Sequence, residues 1–366
     1  MKNKRLDSLD ALRGFDMFWI IGGDFLIHKL AQSNQSPFFD FLSTQLRHPK
    51  WHGFTFYDLI FPLFIFVAGI SIPFSVNSKL DKGITKKEIT FSILKRMFIL
   101  IFLGFVFNGF FQMNWDNLRY CSVLSRIAIA SGFASLIYLW GKEKQLFTII
   151  AFILISYWAA MSLIPVPGFA TGDLSMQGNL ASYIDRKLVP GRLIYGIHDP
   201  EGLVSNYPAI ANGLLGVISG LWLRRLDLTE TKKILYHLLA GFVCIALALL
   251  WNLYFPINKN LWTSSFVLVT SGISFLAMAL FYWLIDVKGF NKFSFPFKLI
   301  GVNSILIYMT AGGGIFAFSH INNYFFRGLS KYLPVSYQGV FLAFTILIIE
   351  LLFLLLCYRK KIFLKV

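Results

Sequence analysis

Apolar runs of about 20 residues recur along this chain from end to end, and each is long enough for one α-helix to cross the hydrocarbon core of a bilayer. In lipid each backbone N–H and C=O must find its partner within the segment, so repeated runs of this kind fold as helices. Ten are read, over 14–31, 55–77, 93–112, 120–139, 146–164, 206–223, 234–255, 261–285, 295–316 and 337–357. An eleventh, re-entrant or amphipathic, is compatible with 317–335. The expected fold is all-α, a polytopic helical membrane protein with a single membrane domain over 1–366. Composition agrees, with 56% hydrophobic residues and only 14% charged. A separate soluble catalytic domain is not expected, so any chemistry belongs in or beside the bundle.

A formal charge of +16 would suggest a nucleic-acid partner in a soluble protein. Here the charge divides with topology instead. The N-terminus, 78–91, 140–145, 224–233, 286–294 and the tail from 358 hold twenty Lys and Arg. The alternate segments 32–54, 113–119, 165–205, 256–260 and 317–336 hold nine. The positive-inside rule then predicts cytoplasmic termini. It leaves 165–205, rich in Pro and Gly, as a long non-cytoplasmic loop, and a loop of that length is more often functional than idle. The first run carries Asp16 and Asp24 and has no small-x-small cleavage site, so it reads as a retained helix. Cys121, Cys244 and Cys357 are far apart with no CxxC, and no metal site is expected.

The chemistry-bearing residues stand at the edges of these runs. In Gln45 to Ile70, a polar entry with His48, Trp51 and His52 leads into an apolar span that holds Asp58 in its first turns. Ionisable groups at membrane depth are costly and mark functional sites by default. His48 suits a general base or an acyl carrier; as a lone histidine it also fits a solvated loop. His52 fits an interfacial residue equally well. Asp58, just before Phe61-Pro62, and Asp24, after Gly22-Gly23, are either partners of a neighbouring helix or members of one polar cavity. Arg126 in the fourth run either pairs with one of those carboxylates or holds a phosphate. Asn303 and Ser304 at membrane depth bond across helices or meet a ligand. HDPEG (198–202) offers Asp199 and Glu201 as site residues or as turn chemistry. PINKNLW (256–262) offers Asn258 and Lys259, the lysine as a substrate contact or an interfacial anchor.

Taken together, RLDSLDALRGFDMFW (5–19), HPKWHGFTFYDLIFPLFIFVAG (48–69), LRYCSVLSRIA (118–128), DPEG (199–202), PINKNLWTSSF (256–266) and GVNSILIY (301–308) carry a resemblance. The chain resembles the transmembrane acyltransferases typified by heparan-α-glucosaminide N-acetyltransferase and its bacterial homologues, in order and over nearly its whole length. The resemblance implies transfer of an acetyl group from cytoplasmic acetyl-CoA to an amino-sugar acceptor on the other side, with no metal. The family's active-site histidine in HxxWxG matches His48, followed by Trp51 and Gly53. A functional Asn of the family's first helix, eleven residues after its RG pair, falls on Asp24. That is a departure, since an ionised Asp accepts hydrogen bonds but cannot donate as an amide does. Within that reading Asp24 and Asp58 are expected to join His48 in catalysis, and Arg126, Asn303 and Ser304 to serve the coenzyme. Trp51, His52, Asp199, Glu201, Asn258 and Lys259 then serve the acceptor. A bacterial inner membrane is the expected location, and a homodimer is compatible with the sequence. The alternative is an amino-sugar or other small-solute transporter, which intramembrane carboxylates also suit.

Overall fold

In the computed structural model, residues 6–34, 36–312 and 318–364 are described, and they contain no strand; an isolated bridge joins Arg119 to Gly191. The helices are α1 (Asp7–Phe18), α2 (Asp24–Asn34), α3 (Pro37–Gln45), α4 (Phe56–Leu80), α5 (Lys86–Phe107), α6 (Val123–Trp140), α7 (Leu146–Leu163) and α8 (Leu180–Leu188). They continue with α9 (Asn206–Arg224), α10 (Glu230–Trp251), α11 (Ser264–Phe281), α12 (Asn291–Val302), α13 (Ser304–Ile307), α14 (Phe318–Ser330) and α15 (Val335–Arg359).

Among the described residues, seven helices are long and apolar enough to cross a membrane: α4, α5, α6, α7, α10, α11 and α15, with small extensions. An eighth arises if the pair Ser294–Val302 and Ser304–Ala311, bent by 76° at Asn303, counts as one span. That is fewer than ten. The first expected run is broken by a π turn at Trp19–Gly23, where Gly22 has φ 143°, a value that only glycine adopts at low cost. The run 206–223 is the continuous helix α9, but Asn206, Asn212 and three glycines dilute its apolar character. The stretch near 317–335 holds the 13-residue helix α14, too short to span a bilayer, whose exposed face carries Tyr324 and Phe325; residue 317 lies outside the described residues.

Three helix pairs pack closest, and glycine faces glycine in each. In α4/α9, a Cβ on Gly216 would stand 2.1 Å from the Phe66 carbonyl oxygen, and one on Gly69 would stand 2.2 Å from that of Gly213. In α1/α12, Gly14 meets the Phe297 carbonyl and Gly301 meets that of Asp10. In α10/α11, Gly241 and Gly272 each face the other's carbonyl. Helices in lipid gain little from hydrophobic contrast, so close backbone approach at small residues supplies the packing.

The connecting segments sort to two ends. At one end, Gly53 N–H donates to Ile257 O (2.9 Å), Trp51 Nε1 to Leu174 O (2.8 Å) and Arg192 N–H to Leu118 O (3.1 Å). This joins the segments near 50, 118, 174, 192 and 257. At the other end, Lys298 reaches Asp7 (2.6 Å) and Arg224 reaches Asp81 (3.8 Å). The 165–205 loop is not open chain, since it contains α8, capped by Asn179, whose side chain accepts from Ser182 N–H.

Candidate active site

The site begins at the N-terminus of α4. Thr55 is its N-cap, and the Asp58 carboxylate reaches back to accept from Thr55 N–H (3.0 Å), as in a capping box. Its other oxygen, Oδ1, lies 2.6 Å from His48 Nδ1. Asp58 is fully buried, whereas the His48 side chain is 41% exposed. With Nδ1–H donated to Asp58, the basic lone pair of the imidazole sits on Nε2. Lys259 Nζ approaches that nitrogen to 2.7 Å. Burial pushes the Lys259 amine below the usual lysine range, against the carboxylates of Glu201 and Asp58, which raise it.

Two loops deliver these groups. The 48–55 loop turns at Gly53, with φ 124°, and is tied to the 256–263 loop through Ile257. The second loop is closed by Asn258, fully buried, whose Oδ1 accepts from Leu261 N–H (3.0 Å) and whose amide lies 3.3 Å from His52 Nδ1. Trp262 holds φ 53°, uncommon for a bulky residue, and its indole donates to Asn212 Oδ1 (2.8 Å). The loop that presents Lys259 is therefore held by packing on α9.

Asp24 enters through an intermediary. Its Oδ2 accepts from the Tyr57 hydroxyl (2.8 Å), and the Tyr57 ring lies 4.9 Å from the His48 ring. Sequence reading passed over Tyr57, although it stands next to Asp58 at the same polar boundary.

A cavity of about 230 Å³ opens from His48, Lys259 and Glu201. Its walls are apolar: Ile20 of the π turn after α1, Phe61 and Phe64 of α4, Ile127 of α6, and Ile305 and Tyr308 beyond the bend at Asn303. Ser304 lines it, while Asn303 donates to Ile362 O (2.9 Å) and accepts from Leu364 N–H (3.3 Å). The Asn303 amide is thus engaged by the C-terminal segment rather than by the cavity. Further along the same α1/α4 seam lies a second cavity of about 490 Å³, lined by Asp10, Arg13, Ser71, Ser75, Lys79 and Lys82. A third, lined by Ser71, Lys79 and Arg96, adjoins it.

Arg126 is fully buried but bonds to neither Asp58 nor Asp24 among the described contacts. It donates to Asn206 Oδ1 (3.1 Å), Pro200 O and Ser205, and lies 4.4 Å above the Trp262 ring. It clamps the 199–206 turn. Asp199 accepts two bonds from Arg119 (2.6 and 2.7 Å), which also pairs with Glu201. Burial opposes the charge on Asp199, but the Arg119 guanidinium holds its carboxyl below the usual range. Arg119 was not singled out from sequence, although it is the second residue of the motif that contains Arg126. Trp51 packs edge-on against His198 (5.2 Å) behind the site. Cys121, Cys244 and Cys357 are free and buried. No group of three or more metal-ligating side chains occurs among the described residues.

Beside the site, two buried groups oppose each other in pH dependence. Burial lowers His198 to about 4 and raises Asp185 to about 6. The histidine is neutral when folded and gains its proton first on unfolding, so stability falls as pH drops from its ordinary value of 6.5. The folded carboxyl takes its proton first, so stability rises as pH drops through about 6. Thermal stability is expected to be nearly level between pH 7 and 5. His198→Gln should make it climb on acidification; a fall in that variant would contradict the assignment.

Residues 5–182 match the family model described as heparan-alpha-glucosaminide N-acetyltransferase, catalytic. The human heparan-alpha-glucosaminide N-acetyltransferase is 28% identical, over 99% of this chain and 60% of its own length. The mouse protein of the same name is 30% identical, over 72% of this chain and 48% of its own length. The chain therefore spans about half to three-fifths of the curated relatives it matches. The matched region covers α1 to the start of α8, including His48, Asp58, Arg119 and Arg126.

Proposed function

We propose that this chain is a membrane-embedded acyltransferase. It moves an acetyl group from acetyl-CoA, entering from the cytoplasm, to the amine of a glucosamine-type sugar on the opposite side. The observation that carries this is the Asp58–His48 pair at the polar end of an apolar cavity whose seam continues to a basic groove. From Tyr57 to Ser71 along α4 is roughly 21 Å, a distance an extended coenzyme arm can cover. The apolar walls suit the arm, and Arg13, Lys79, Lys82 and Arg96 suit the phosphates. With Asp58 holding Nδ1–H, His48 Nε2 takes a proton from the acceptor amine as the amine attacks the thioester carbonyl. The thiolate of CoA leaves and is reprotonated. Glu201 and Lys259, at the cavity mouth, contact the acceptor. His52, Asn258 and Trp51 shape the entry loops behind it, and Asp24 orients Tyr57 against the imidazole.

The direct test is CoA release with glucosamine as acceptor in detergent. A protein that binds acetyl-CoA but moves no acetyl group to any amino sugar would remove this reading. Lys79→Ala with Lys82→Ala is expected to weaken acetyl-CoA about tenfold or more, since a charge-assisted phosphate bond contributes about 1.5–3 kcal/mol. Calorimetric titration measures it, and unchanged affinity would place the phosphates elsewhere.

The same reading carries a topology. Ten crossings with both termini cytoplasmic require α9 and the kinked α1–α2 unit to span, together with the bent pair. A cysteine at exposed Ser175, in a background without the native three, should then react with an impermeant thiol reagent in intact cells. Reaction only after lysis would reverse the orientation. A bacterial inner membrane is the setting proposed.

A further inference from the structure

We propose that Lys259 is itself an acetyl acceptor, so that the protein acetylates its own lysine when donor is present and sugar is not. This rests on the acyl-donor reading above. The Lys259 Nζ lies 2.7 Å from His48 Nε2, where an incoming acceptor amine has to stand to lose its proton to that nitrogen. His48 and Lys259 line the same cavity, whose apolar walls lead a thioester toward both. The lysine is not a free surface side chain: it is partly buried and belongs to a loop locked by Asn258 and Trp262. Burial also favours its uncharged, nucleophilic form.

The step balances without a further reactant. The Lys259 Nζ lone pair attacks the acetyl carbonyl carbon, a C–N bond forms, and the C–S bond breaks. The amine's proton passes to His48 Nε2 and from there to the departing CoA thiolate. Asp58 stays ionised and holds Nδ1–H throughout. The product is an amide, stable to a second transfer. It replaces an ionisable amine beside Glu201 with a neutral amide and blocks His48 Nε2, so transfer to sugar is lost in step with the modification. Bound acceptor protects Lys259 by occupying the same place.

The full chain in detergent is incubated with isotope-labelled acetyl-CoA without sugar, and its peptides are read by mass spectrometry. The expected result is label on Lys259 at least about tenfold faster than on exposed Lys142 and Lys144, the gain coming from orientation beside a base. His48→Ala, or Asp58→Asn should that variant not fold, should slow labelling by a similar factor. Glucosamine should suppress it. Lys259 left unlabelled, or labelled equally fast in both variants, overturns the proposal. A parallel assay with glucosamine separates the failures. Sugar transfer with Lys259 unlabelled overturns self-acetylation alone; neither product overturns the acyltransferase reading as well.

Discussion

His48→Ala is expected to lower acetyl transfer to glucosamine by at least about a hundredfold, the scale on which loss of a general base acts. Acetyl-CoA affinity should be retained, because the basic groove of Arg13, Lys79 and Lys82 lies at the far end of the α1/α4 seam. The variant should fold, since the His48 side chain is partly exposed and its loop is held independently through Gly53 and Trp51. Asp58→Asn should lie between wild type and His48→Ala. It keeps the side-chain shape but loses the charge that steadies the imidazolium as it takes a proton. His52→Ala should cost much less, as His52 meets only the amide of Asn258 and the edge of the Trp51 ring among the described contacts, and neither His48 nor Asp58. Turnover near wild type in folded His48→Ala would shift the base to another group at the same end, with Glu201 first among them.

Gly216→Leu is expected to have a large effect on folding. Even its Cβ would stand 2.1 Å from the Phe66 carbonyl oxygen, a backbone atom that no rotamer change can move. Relief requires α4 and α9 to separate, and α4 carries Asp58 at its start, lines the active-site cavity with its first turns and the basic groove with its later ones. Overpacking of a rigid core costs about 1–3 kcal/mol, and a backbone clash belongs at or beyond the top of that range. Loss of monodisperse protein in detergent, or a large fall in melting temperature, is the expected outcome. Gly328→Leu in α14 is the control, because nothing lies within 4 Å of the position a Cβ would take. Equal behaviour of the two variants would show that the α4/α9 contact is not what holds the bundle.

Much of the fold was legible because membrane solvent imposes simple rules. A continuous apolar run has to satisfy its own backbone, so α4, α5, α6, α7, α10, α11 and α15 stand where hydropathy places them. Where polar residues or glycines interrupt a run, hydropathy fails to describe what happens. The kink at Gly22, the bend at Asn303 and the buried polar faces of α9 depend on neighbouring helices. His48 and Asp58 stood out for the same solvent reason, being polar groups at an apolar boundary. Tyr57, Arg119 and Trp262 did not, because a tyrosine, an arginine or a tryptophan near a membrane edge is ordinary until its partner is known.

What the sequence determined by itself was the solvent in which each segment lives and the few side chains too polar to be there without reason. Tertiary structure decided which of those side chains meet. His48 and Asp58 are ten residues apart and bound to lie near the start of one helix, but Lys259 reaches His48 across a separation of 211 residues. Arg126 could have paired with Asp58 from composition alone, yet it clamps the 199–206 turn instead. Helices in a bilayer are fixed locally, by their own hydrogen bonds. Their contacts are fixed by shape, through glycine faces and loops closed on distant partners, and no local pattern encodes those pairings.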